Sequence, residues 1–312
     1  MIASVLTLAV GLGLLLIAGD LLVRSAVAMA QRLRAAQIVI GFVIGFGTSA
    51  PEFLLVVNAA LSDAEGLAFG NVIGANVTNA FLVLGVLGLA ARRPPRAVGG
   101  RASLFAIAGA FAVAALGDDG SIGRTDGLFL LALFAAFLFD QFARARREEV
   151  LLEELDSDDG RMRLIPSLAF LGIGLALLPI GAIAAVEGAV GLARAFGVSE
   201  AMIGLTVVSL GTTMPELATA LAAGRRGRLS IGIGNVIGSI LFNGLAILGV
   251  AAMLVPISMP APLWRAALPA YVAAVLVVFL VASGQIAVRR STGVALIGLY
   301  VAYIAATIWA AS

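Results

Sequence analysis

The chain has 312 residues, of which 61% are apolar and 12% charged, with 20 basic against 18 acidic side chains and a formal net charge of +2. A soluble domain carries about 45–50% apolar and about 25% charged residues, so this composition, with its mean hydropathy of +1.10, predicts an integral membrane protein and excludes a membrane-anchored enzyme with its chemistry outside the bilayer. Neither Cys nor His occurs, which removes disulfides, thiol chemistry, zinc and haem ligation and imidazole proton relays, and leaves oxygen to ligate any ion.

A helical span needs about 20 mostly apolar residues. Apolar runs between charge clusters predict ten spans: 2–30, 36–61, 67–90, 102–117, 125–143, 164–192, 200–223, 230–254, 263–283 and 292–310. The first opens without a basic n-region and runs into Asp20 and Arg24, so it is expected to be a retained helix, not a signal peptide. An even number of spans puts both termini on one side. All the basic residues are Arg, and they collect in alternate connections: Arg32 and Arg34, Arg92 to Arg101, Arg144 to Arg163, Arg225 to Arg228, then Arg289 and Arg290. The opposite loops hold Arg124, Arg194 and Arg265. Cytoplasmic loops gather basic residues, so both termini are expected outside a plasma (inner) membrane, with Trp264 and Trp309 towards the outer interface. The pI of 9.6 thus has a topological cause, and nucleic acid is discounted.

The connection 144–163 is the one long polar stretch. Its acids lack the D-x-D-x-D-G spacing of a calcium loop, and it reads as a solvated cytoplasmic linker between residues 1–143 and 164–312. Those halves repeat each other. The segment Gly41–Glu52 ends in G-T-S-A-P-E and Gly204–Glu216 ends in G-T-T-M-P-E; G-N-V-I-G-A-N-V-T-N at Gly70–Asn79 matches G-N-V-I-G-S-I-L-F-N at Gly234–Asn243. Glu52 and Glu216 stand 164 positions apart, and so do Asn71 and Asn235. Each half holds five spans, an odd number, so the second is expected to cross with opposite polarity. The fold class is therefore an all-α membrane protein of ten helices in two inverted five-helix repeats, an arrangement typical of secondary transporters.

The chemistry concentrates in these motifs. Pro51 and Pro215 fall mid-span, where proline removes a backbone donor and frees the carbonyl about one turn earlier, near Gly47 and Gly211. Glu52 and Glu216 follow at once, and an acid in mid-membrane marks function by default. Thr48, Ser49, Thr212 and Thr213 precede them by three or four residues and share their helical face. Asn79 and Asn243 offer amide oxygens from the facing helices. Carboxylates, hydroxyls, amides and carbonyls together suit calcium or sodium. Small and hydroxylated residues in membrane helices also serve packing, and Asn71 and Asn235 read equally as inter-helix clamps or ligands. The glutamates are different, because a buried structural carboxylate needs a cationic partner and no Arg lies in either core motif. Asp20, Asp140 and Glu187 lie nearer span ends, where snorkelling or pairing with Arg24, Arg144 or Arg194 is the cheaper explanation, and they are left outside the site.

On these motifs and spans, over nearly its whole length, the chain resembles the sodium/calcium exchanger family of the cation/calcium antiporter superfamily. The resemblance implies alternating-access exchange of calcium for sodium, with Glu52 and Glu216 as central calcium ligands. It further implies flanking sodium sites from Thr48, Ser49, Thr212, Thr213, Ser239 and Asn79, carbonyl ligands near Gly45 and Ser209, and sliding gate helices in the first and sixth spans. The chain departs from many members at Ala75, which lacks a hydroxyl, and at Asn243, which stands where they carry Asp and leaves two carboxylates rather than three. No cofactor is expected. The implied partners are calcium and sodium ions and the lipid bilayer, with a monomer sufficient for transport. Two ionised glutamates match one calcium ion, whereas three sodium ions leave a net charge of +1 and couple exchange to voltage at about 2.3 kcal/mol per charge per 100 mV. Exchange against protons is the rival reading and a cation channel a more distant one. An intramembrane hydrolase fails for want of a base beside any nucleophile.

Overall fold

The computed structural model describes residues 1–33, 37–91, 100–145, 163–197, 209–258 and 261–311. The linker, most of the loop arginines and the side chains of Trp264 and Trp309 lie outside the described residues. The chain is nearly all helix. In order it forms α1 (Ile2–Leu33), α2 (Gln37–Thr48), α3 (Ala50–Leu61), α4 (Glu65–Ala90), α5 (Gly100–Leu116) and α6 (Arg124–Ala145). After the linker come α7 (Leu164–Ala195), a helical turn at Ser209–Gly211, α8 (Met214–Arg225), α9 (Leu229–Leu254), α10 (Ala261–Ala282) and α11 (Arg290–Ala311). In a bilayer core an unpaired backbone group costs several kcal/mol, which leaves helices as the economical form for so apolar a chain.

Among the described residues five helices are long and apolar enough to cross a membrane, or six when α2 and α3, bent by 45° at their junction, count as one. α5, α6 and α10 coincide with the predicted spans 102–117, 125–143 and 263–283 to within a few residues, whereas of span 200–223 the described residues show the turn Ser209–Gly211 and α8. Two features add to the predicted spans. The segment 36–61 is a broken span, not a kinked one: α2 stops at Thr48, and Pro51 lies in the first turn of α3, where its missing N–H is not needed. Pro215 stands likewise in the first turn of α8. In addition, α4 and α9 each contain a π-helical stretch, Asn79–Val83 and Phe242–Ile247. Such turns occur often at functional sites, and here both contain an asparagine of the repeated motif.

Close glycine packing builds the bundle. α1 runs along α7 with Gly11 against the backbone of Ala185 and Gly188 against that of Leu8. α2 lies on α9 in the same way. A Cβ on Gly45 would stand 2.5 Å from the Asn235 carbonyl oxygen, and one on Gly238 would stand 2.7 Å from the Phe42 Cα. Behind α2, Phe46 packs on Phe242 and Phe134, and Phe42 on Phe137, at centroid distances of 5.3 to 5.5 Å. A short antiparallel pair, Ser121–Ile122 with Ile257–Ser258, joins two connections at one end of the bundle.

Gly238→Val is expected to cost about 1–3 kcal/mol by overpacking the α2–α9 contact, read as a lower thermal midpoint in detergent. Gly298→Ala, where a Cβ meets nothing within 4 Å, should leave the midpoint in place.

Candidate cation site

The two breaks meet in the middle of the bundle. Some i→i−4 bonds persist across the junctions, such as the Ser49 N–H to the Gly45 carbonyl and the Leu217 N–H to the Thr213 carbonyl, and the residues at the junctions match closely. Ser49 has φ −84° and ψ 12°, and Thr213 has φ −88° and ψ 1°. Neither caps its helix through the side chain, because both hydroxyls are used elsewhere.

Glu52 and Glu216 are 1% and 0% exposed and lie near enough for their charges to repel. The Ser49 hydroxyl donates to Glu216 Oε1 at 3.0 Å, with the Ser239 hydroxyl 3.4 Å from the same oxygen. The Gly45 carbonyl receives the hydroxyls of Thr48 and Ser239, each at 3.2 Å, so it faces into the site as expected. Thr48 also lies 3.4 Å from Asn235 Oδ1, a bond between the two halves that favours the clamp reading for Asn235. Thr212 faces Glu52. Thr213 turns away, donating to the Leu210 carbonyl at 3.1 Å. The Ser209 side chain lies outside the described residues.

What remains unpaired is more informative. Both carboxylate oxygens of Glu52, Glu216 Oε2, and both amide atoms of Asn79 and Asn243 are buried without a hydrogen-bond partner in the protein. Asn76 belongs with this group, since it is fully buried and neither of its amide atoms has a hydrogen-bond partner, although the Tyr271 hydroxyl packs close by over Gly244. It sits three residues before Asn79, hence on the same helical face. The repeat comparison hid it, because the matching position in the second half is Ile240. No cluster of three or more His, Cys, Asp or Glu occurs among the described residues. A cation held here therefore meets two carboxylates and neutral oxygens, a donor set that fits a hard ion. A cavity of about 500 Å³ reaches the breaks, lined by Gly47, Thr48, Pro51, Gly211, Thr212 and Pro215 and walled by α7.

The three outlying acids lie apart from this cage. Asp20 pairs with Arg24 at 2.9 Å, as expected, and also with Arg226 at 2.6 Å. Asp140 pairs with Arg101 at 3.2 Å, while the Arg144 side chain lies outside the described residues. Glu187 is exposed and forms no ion pair with Arg194, which leaves snorkelling of the two expected readings. The reason is spacing: seven residues are two helical turns, about 10 Å, whereas neighbours on one face stand three or four apart.

The profile described as "Sodium/calcium exchanger protein" matches residues 3–143 and 166–309, almost the whole chain. The chain belongs to the sodium/calcium exchanger family. Among its relatives is the inner membrane protein YrbG of Escherichia coli, 34% identical over 82% of this chain and 81% of the relative. The sodium/calcium exchanger MaX1 of Methanosarcina acetivorans is 30% identical over 96% of this chain and 97% of the relative. The solved structure of the sodium-calcium exchanger NCX_Mj soaked with zero Na+ and Ca2+ superposes with a TM-score of 0.84 at 29% identity, covering 98% of this chain and 99% of that one. The family is one of membrane antiporters, not of enzymes.

The cage itself makes a prediction. Two like charges buried together, with three of four oxygens unpaired, destabilise the cation-free protein. Glu52→Gln is expected to raise its stability by about 1–3 kcal/mol, read as a higher thermal midpoint in excess chelator.

Proposed function

We propose that this exchanger carries calcium in one direction against sodium in the other by alternating access, with Glu52 and Glu216 as the shared calcium ligands. The unpaired oxygens of the two glutamates where the two broken spans meet carry this reading. A divalent ion supplies the countercharge that the fold withholds, and calcium takes six to eight oxygen ligands, a number this cage supplies. Thr48, Ser49, Thr212, Ser239 and Asn79, with the Gly45 carbonyl and that of Ser209, make the flanking sodium positions. Thr213 and Asn243 complete the shell by holding the break and lining its far side. No protein cofactor takes part, and a single chain holds the whole site.

Ten crossings in two inverted halves, with both termini outside, are part of the same proposal. Three contacts support it, each joining elements that this topology puts on one side. The strand pair links the fourth and eighth connections, Asp20 reaches Arg226, and Arg101 reaches Asp140.

In vesicles carrying the full chain, calcium uptake is expected to follow an outward sodium gradient and to be insensitive to a pH gradient alone; uptake indifferent to sodium would sink the reading in favour of proton exchange. Glu52→Gln and Glu216→Gln should each abolish uptake. Ala75→Ser, which restores a hydroxyl one turn before Asn79, should strengthen sodium competition by about five- to tenfold, the worth of one hydrogen bond of about 1 kcal/mol or slightly more, with calcium uptake in sodium-free buffer unchanged.

A further inference from the structure

The cavity beside the breaks contains a charge that the ion cage does not use. Glu187, on α7, is the only ionisable side chain among its lining residues. Apart from Thr48 and Thr212 the walls are apolar or backbone. Glu187 is exposed and makes neither hydrogen bond nor ion pair with any described residue. Its depth is telling. α7 has 32 residues, about 48 Å at 1.5 Å per residue, and so overhangs a hydrocarbon layer of about 30 Å by about 9 Å at each end. Glu187 lies eight residues before Ala195, about 12 Å from that end, which sets it at the rim of the hydrocarbon where the cavity begins.

The acid on α1 makes the contrast. Asp20 also lines a cavity, with Arg24 and Arg225, but its carboxylate is held by Arg24 and Arg226, so it offers passing cations no free charge. Among the described residues Glu187 has no such partner. An unpaired acid at the mouth of an apolar passage has no structural bond to explain it. What it does have is a field, which in a low-dielectric cleft raises the local concentration of counter-ions.

We propose that Glu187 is the access carboxylate of this exchanger: it draws cations into the cavity and towards Thr48 and Thr212, without ligating the ion once bound. The assignment rests on the exchange reading above. Its signature is valence. A unit charge about 10 Å from the approaching ion in water enriches a divalent cation about fourfold and a monovalent one about twofold.

The test uses the full-length protein in right-side-out and inside-out membrane vesicles, with initial rates of sodium-coupled calcium flux measured for wild type, Glu187→Gln and Glu187→Asp. At low ionic strength Glu187→Gln should raise the half-maximal calcium concentration about fourfold and that for sodium about twofold, on one face of the membrane only, with the maximal rate unchanged. Glu187→Asp should behave as wild type. In 1 M choline chloride, where the Debye length is about 3 Å, the difference should vanish. Half-maximal concentrations equal to wild type would overturn the assignment, as would an equal, salt-independent shift for both ions, which marks a structural role. A reduced maximal rate would overturn it too, because it marks a ligand of the bound ion. A wild type that exchanges no calcium would overturn the exchange reading and this inference together, whereas an exchanging wild type with an unaltered Glu187→Gln would overturn only the latter.

Discussion

Burying two carboxylates at the centre of an apolar bundle is the constraint on which the rest of this structure depends. The effective penalty is several kcal/mol per ion, and among the described residues no arginine pairs with either glutamate to offset it. The fold answers partially. Ser49 and Ser239 attend one oxygen of Glu216, and both helix breaks bring half-helix ends, with their unspent backbone dipoles, to the same level. Three glutamate oxygens stay unpaired. A protein selected for stability alone would have filled that gap with hydrocarbon, so the residual cost is what leaves room for a mobile cation to bind and leave.

Distant features serve the same constraint. The backbone of α2 reaches the site because Gly45 and Gly238 let it lie directly on α9. That contact puts the Gly45 carbonyl beside the Ser239 hydroxyl. The π-helical stretches in α4 and α9 contain Asn79 and Asn243, and an extra residue per turn changes which side chains face inwards. The phenylalanine cluster of Phe42, Phe46, Phe134 and Phe242 packs the other side of α2, opposite the breaks that the cavity beside α7 reaches.

Much of this was legible in the sequence because the bilayer simplifies the code: long apolar runs become helices, and a charge within one needs a reason. Glu52 and Glu216 stood out on that ground alone, and the repeat located their partners. Interrupted helices are expected of the repeat pattern, but the exact break at Ser49 is not, since a proline that kinks a helix and one that starts a new helix look alike in sequence. Asn76 was missed because its counterpart is Ile240, so a search by repetition passed over it. The π-helical stretches carry no residue signature at all. Pairings across the fold were also hidden. Asp20 with Arg24 follows from i, i+4 spacing, but Arg226 and Arg101 arrive from other helices, and no local rule names them.

The two halves use near-identical motifs yet bond differently, and that asymmetry bears on mechanism. Ser49 crosses to Glu216, whereas Thr213, its counterpart, folds back on the Leu210 carbonyl. Glu216 has one oxygen engaged and Glu52 has none. The mirror arrangement, in which Thr213 would reach Glu52 and Ser49 would turn to its own backbone, is not the chemical equal of this one, because Ala75 stands where Ser239 does in the other half and brings no hydroxyl to Glu52. The proposed alternating access calls for two states in which the halves exchange roles, and the missing hydroxyl at Ala75 weighs those two states unequally. Outside the motifs a further difference between the halves is electrostatic: Asp20 ties α1 to Arg226 beyond α8, while no described residue ties Glu187 of α7.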